Sequence, residues 1–326
     1  MWVNSLLVQA RQARWAVSGF LALAFLVMGS TGVTPASAAP YAQGDKVCLE
    51  CHKAEHEVWS ATKHFKSYRT VHKDKKAKAI VKSIGGKSMK KTDACKLCHY
   101  TQVQKAPGEK ASVKSGPSCE SCHGASSDWM KIHNDYGGPS VKMANEDPAH
   151  KTARIKNATA AGMIWASDRY GIVENCASCH GLNNDKLDGK VLSAMLNGGH
   201  PINTEWEFVR YSQGSVRHRF YAPNTTTNAE MSVAELSILF VEGQAATLVS
   251  ASDALTKSDD AKYQVAQNKR LAGAKAALSA LKSVPEAAAL VAAPTRDNAR
   301  KLVAAIAGKD LSGEVGGMLP KKADFK

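Results

Sequence analysis

The chain has 326 residues, of which 44% are apolar and only 6% aromatic, so it is too long for a disulfide-stapled miniprotein and suits one or two domains. Lysine and arginine outnumber aspartate and glutamate by 43 to 29, a formal charge of +14 that points to acidic partners. Eight cysteines in an exported chain would ordinarily mean four disulfides, but their placement argues otherwise.

In chain order, Arg11 and Arg14 flank an apolar run over 15–28, followed by "STGVTPASAA". This reads as a secretory signal peptide over residues 1–39, cleaved near Ala39. The run is short for a span, which needs about 20 apolar residues. No later segment is long and apolar enough to cross a bilayer, so the processed protein is expected in the periplasm without a stable membrane span.

The cysteines then fall into four identical frames: Cys48-Leu-Glu-Cys51-His52, Cys95-Lys-Leu-Cys98-His99, Cys119-Glu-Ser-Cys122-His123 and Cys176-Ala-Ser-Cys179-His180. Two thiols three positions apart can add to the two vinyl groups of one haem, and the adjacent histidine presents an imidazole to the iron. A zinc ribbon would pair two Cys-x-x-Cys knuckles but leaves a histidine after every second cysteine unexplained. A redox dithiol would occur once. Four covalently bound haem c groups are therefore expected. The low aromatic content agrees, because in such a protein the porphyrins form the core. Their propionates would offset much of the positive charge, so the net charge is not read as nucleic-acid binding.

Seven histidines remain: His56, His64, His72, His133, His150, His200 and His218. Four irons need at most four distal ligands, so bis-histidine ligation is open to all. Such irons are saturated, which suits electron transfer, and histidine in place of methionine lowers the potential. His56 lies four residues after His52 on one helix face and is read as a surface or supporting group. His64 and His133 stand about ten residues beyond a motif histidine. His200 sits in the glycine-flanked turn "NGGHPIN", where backbone can approach a cofactor closely. These three are the leading distal candidates, with His72, His150 and His218 behind them.

Residues 72–91, "HKDKKAKAIVKSIGGKSMKK", carry one acidic residue. They read as a solvated face or as a docking patch for an acidic redox partner. From about Thr225 cysteine disappears and alanine and lysine rise. Val233, Leu236 and Phe240, then Leu271, Ala274, Leu278 and Leu281, then Ala299, Leu302 and Ile306 fall at helical spacing. Three or four helices are expected there, with a capping box at Ser283 and Glu286 and Pro285 in the first turn. The tail "MLPKKADFK" reads as loosely ordered. The expected organisation is a signal peptide, a tetrahaem domain over 40–224 and a helical extension over 225–326. The fold class is mostly α with extensive loops.

"CLECHKAEHEVWSATKH", "SCESCHG" with its following histidine, and the closely spaced second and third motifs resemble the tetrahaem cytochrome c-554 family, electron acceptors of hydroxylamine oxidoreductase in ammonia oxidisers. The resemblance covers Val47 to His180. It implies crossed ligation, His64 with His123 and His133 with His52, and a second haem that is often five-coordinate. His72 is the nearest upstream candidate for that iron. The segment "GGHPINTEWEFVRYSQGSVRHRFY" resembles other multihaem cytochromes and implies His200 for the fourth iron. The expected function is electron transfer between redox enzymes or quinol-linked donors and terminal acceptors. The alternative is a reductase of a small nitrogen-oxide ligand at an open second haem. The lysine-ligated catalytic motif of pentahaem nitrite reductases is absent.

Overall fold

The computed structural model describes residues 39–326; the signal peptide read ahead of Ala39 lies outside them. The described residues are mostly helical with long loops. The first half is built from short helices: α1 (Asp45–Leu49), α2 (Lys53–Ala61), α3 (Lys63–Thr70), α4 (Lys75–Ser83) and α5 (Asp93–His99). A small antiparallel hairpin follows, β1 (Thr101–Val103) on β2 (Ser112–Ser115). Then come α6 (Cys119–His123), α7 (Met130–His133), α8 (Pro148–Ala160), α9 (Arg169–His180), α10 (Gly189–Asn197) and α11 (Phe208–Ser212). Glycine, proline and the recurring motifs interrupt this half before any helix grows long. Helices α1, α2, α3 and α7 bury no residue against the polypeptide.

The second half is different. Helices α12 (Val233–Ala254), α13 (Ala261–Ser279), α14 (Pro285–Ala292), α15 (Arg296–Ile306) and α16 (Ser312–Val315) hold the main apolar core. Leu248, Leu278, Leu290, Leu302 and Ile306 are buried there with Tyr170 and Val173 of α9. Each fully buried aliphatic side chain contributes roughly 1.5–3 kcal/mol. The extension thus packs directly on the helix that ends in the fourth motif. Gly243 on α12 permits a close approach, since a Cβ there would come 2.9 Å from Cβ of Phe208.

Several sequence expectations change here. By length and composition α12 could cross a membrane, contrary to the reading that no later segment could. Most of it is buried within the protein, which makes it the central core helix. Ser283 does not cap α14: Val284 is the N-cap residue, without a side-chain hydrogen bond, and the Ser283 hydroxyl donates to Glu314 instead. The working capping box is Ser232 with Glu235 at the start of α12, where Ser232 N–H donates to Glu235 Oε2 at 2.8 Å. The tail is docked. Phe325 packs on the main core, and Lys326 N–H donates to Arg210 O at 2.9 Å while its carbonyl accepts from Ser215 at 2.9 Å.

Candidate functional site

Three motifs end helices: α5, α6 and α9 stop at His99, His123 and His180. Positions i, i+3 and i+4 share one helical face, so both thiols and the imidazole of each motif point the same way. In the first motif His52 N–H donates to Cys48 O at 2.8 Å, closing the equivalent turn. Glu120, between the third motif's cysteines, is 6% exposed. Its carboxylate accepts from the backbone N–H of Gln43, Gly44 and Ser126 at 2.8, 2.7 and 3.0 Å. The third motif is thereby tied to the chain entering the first.

The motifs touch in a definite order. The Cys48 thiol neighbours that of Cys119, Cys122 that of Cys176, and Cys98 that of Cys179. Helix packing agrees: α6 lies on α1 and on α9, and α5 lies on α9. The spatial sequence is therefore first, third, fourth, second. Reading these contacts as three disulfides would strand Cys51 and Cys95 and leave the histidines without a role.

Each motif histidine faces one other histidine. Ring centroids are 6.5 Å apart for His52 and His133, 6.1 Å for His99 and His200, 6.2 Å for His123 and His218, and 6.1 Å for His180 and His64. An imidazole nitrogen sits roughly 2 Å from a metal and about 1 Å from its own ring centre, so two rings on opposite sides of one metal stand roughly 6 Å apart. Two inferred partnerships are corrected. His64 faces His180 rather than His123, and His200 faces His99 rather than the fourth motif. His218, ranked behind the leading candidates, faces His123. Its signal was the census of four motifs and seven spare histidines, read without knowing where the loop over 213–219 returns. Of the other three, His56 contacts Asp45 at 3.1 Å, His150 contacts Glu146 at 2.9 Å, and His72 has a buried Nδ1 without a hydrogen-bond partner and faces no motif histidine among the described residues.

The local structure holds these rings in place. Nδ1 of His123, His133, His200 and His218 donates to the carbonyls of Ile164, Met130, Pro201 and Val216 at 2.9, 2.6, 2.9 and 2.6 Å. That leaves Nε2 as the free lone pair and fixes the ring, the usual support for a metal ligand. Gly116 lets the chain pass directly over His64, since a Cβ there would lie 2.1 Å from His64 O. The His133 carbonyl accepts from Arg154 Nη1 at 2.6 Å, and Arg154 is itself clamped by Glu146 through two bonds of 2.7 Å. Burial pushes His99 and His180 down to about 4 and lowers His64, His123, His133 and His200. The imidazoles are thus held in the neutral form a metal requires.

A cavity of about 1430 Å³ joins the second, third and fourth motifs, larger than the ~300–1,000 Å³ of an ordinary small-molecule site. Arg217 and Arg219, on either side of His218, line it; their Nη2 atoms meet Glu230 at 3.5 Å and Glu235 at 2.8 Å, while each keeps a buried Nε without a partner that suits a further acidic group. Among the described residues no three His, Cys, Asp or Glu side chains converge as a metal cluster. Each site offers two imidazoles, the number needed by an iron that already has four in-plane donors. The residues fit haem: thiols on one helical face, opposed imidazoles, apolar space, and arginines for propionates.

A family model described as cytochrome c554 and c-prime matches residues 47–124. The chain is also 26% identical over 168 residues to the curated cytochrome c-554 of Nitrosomonas europaea, covering 50% of this chain and 66% of that protein. It thus spans just under two thirds of that relative's length. No solved structure matches.

Proposed function

We propose that the chain is a c-type cytochrome similar to the cytochrome c554 family, carrying covalently bound haem and acting in electron transfer, and that it is an exported, periplasmic carrier with four haems, one per motif. The observation that carries this reading is the one-to-one facing of motif and non-motif histidines at about 6 Å. The thiols of each motif would hold one haem, and the histidine pairs would give both axial ligands. When bound, the haem supplies an iron that takes up and releases one electron. The chain supplies saturation by imidazole, which favours outer-sphere transfer at low potential, together with burial and position.

The thiol contacts set the route. Thioethers form at the haem edge, so neighbouring thiols would bring haem edges together in the order first, third, fourth, second. A reductase would need an open iron, and the facing of His200 on His99 weighs against one at the second motif. The helical extension serves as a cover, since its core is continuous with α9.

The partner at one end is proposed to be acidic. Lys73, Lys75, Lys76, Lys78, Lys82, Lys87 and Lys91 are exposed around α4 with Asp74 as the one acidic residue among them. The inner face of α4, Ala77 and Val81, packs with Cys95 and Tyr100 of the second motif. Long-range attraction would raise the encounter rate and fade with salt.

The test is stoichiometry. Iron analysis and the pyridine haemochrome spectrum are expected to give four haems per chain, with no thiol open to alkylation. Fewer haems, or free thiols, would contradict it. For docking, reduction of the oxidised protein by a reduced acidic flavodoxin is expected to slow with salt and in the triple variant Lys75→Glu, Lys76→Glu, Lys78→Glu. An unchanged rate would remove the patch from the account.

A further inference from the structure

We propose that Arg270 is a positioning charge that raises the reduction potential at the fourth motif, acting through its contact with the turn that follows His180; this rests on the four-haem reading above. Arg270 belongs to α13 and is 6% exposed. Among the described residues no carboxylate pairs with it. Its donors reach only neutral oxygens, Gln267 Oε1 at 2.5 Å and Ser250 Oγ at 3.3 Å. The guanidinium lies close against Gly181, where a Cβ would come 2.6 Å from Nη2 and 2.7 Å from Nη1. Gly181 is the residue after the fourth motif's histidine.

The same turn is already well held. Gln267 Nε2 donates to Gly181 O at 2.9 Å, Tyr263 OH to Leu182 O at 2.9 Å, and Asn183 Nδ2 to Ser250 O at 3.0 Å. A cation at the carbonyl end of α9 is favourable, so a purely structural capping role is the plain alternative. Yet burying a guanidinium without a counter-ion is costly, and an amide already serves the cap. Burial pushes Arg270 down to about 10, far enough above neutrality to keep its charge.

What a permanent charge does there that an amide cannot is electrostatic. Reduction adds one electron and converts Fe(III) to Fe(II), lowering the site's charge by one. A fixed positive charge against the His180 turn opposes the oxidised state and favours the reduced one. In a buried setting this interaction is strong and resists screening. The fourth motif lies inside the route, between the third and the second, so its potential governs passage along the chain.

The experiment is a spectroelectrochemical titration of the holoprotein and of Arg270→Met, which keeps much of the volume, at low and at high salt. One of the potentials is expected to shift downward at both salt concentrations, with the others unmoved, and Arg270→Lys is expected to stay near the wild type. A lower melting temperature with every potential unchanged would overturn the proposal and leave a structural cap. Should the methionine variant not mature, Arg270→Gln against Arg270→Lys gives the same comparison, with equal potentials overturning it. Haem content is measured first, so a wild-type count below four fails the underlying reading and not the charge argument.

Discussion

At the residue scale, the cysteines were the most legible part of the molecule. Thioether chemistry dictates their spacing, and no tertiary context is needed to read it. The distal histidines were only half legible. That several would pair with motif histidines was expected from counting the proposed irons, but which one reaches which motif depends on loops returning across the fold. His218 arrives through a segment whose tail partner, Lys326, is more than a hundred positions away. His218→Ala is expected to convert one low-spin haem to high-spin and leave the rest unchanged, read by electron paramagnetic resonance (EPR) of the oxidised protein; an unaltered spectrum would remove it from the ligand set. Behind His133, Arg154 and then His150 hold the Glu146 carboxyl down to about 2 from an ordinary 4.5. A carboxyl lowered by folding stabilises the native state above its unfolded value and loses that contribution as pH falls through the folded one. The melting temperature of Glu146→Gln is therefore expected to lie below the wild type above pH 4.5, with the gap closing as pH falls towards 2. A gap constant across that window would contradict the ion pair's role.

At the element scale, one motif segment is a bracket between two sites. The stretch over 118–133 holds Cys119, Cys122 and His123 in one site and sends His133 to face His52 in another. Glu120 locks this bracket to the entering chain by accepting from the backbone N–H of Gln43 and Gly44, and braces the stretch itself by accepting from Ser126 N–H. Glu120→Ala leaves those buried N–H groups without partners, so a loss on the order of 3 kcal/mol is expected in denaturant unfolding. A loss within the error of the measurement would mean that the segment over 41–44 is held by something else. The helical extension was visible in its periodicity because a 3.6-residue apolar stripe survives any tertiary arrangement. Its caps were less so. Ser283 and Ser232 both stand three residues before a glutamate, and only the second forms the box, because Glu314 competes for Ser283.

At the scale of the whole molecule, two kinds of core sit side by side. The extension packs leucine and alanine around α12 in the ordinary way, while the first half arranges thiols and imidazoles around space suited to porphyrin. Low aromatic content and clustered motifs were the sequence's grounds for expecting porphyrin in place of an apolar core in the first half. The sequence could not reveal that α9 belongs to both halves, because that depends on long-range packing between residues 170–173 and the helices after 233. The docked tail was missed for the same reason: a lysine-rich end reads as solvated until its backbone is seen to pair with Arg210 and Ser215.

The central claim is that four irons are each held between two histidines. Low-temperature EPR of the fully oxidised protein, with spins counted against iron, tests it most directly. The expected result is four low-spin ferric centres and no stoichiometric high-spin signal; one full equivalent of high-spin iron would contradict it and return an open site to the second motif.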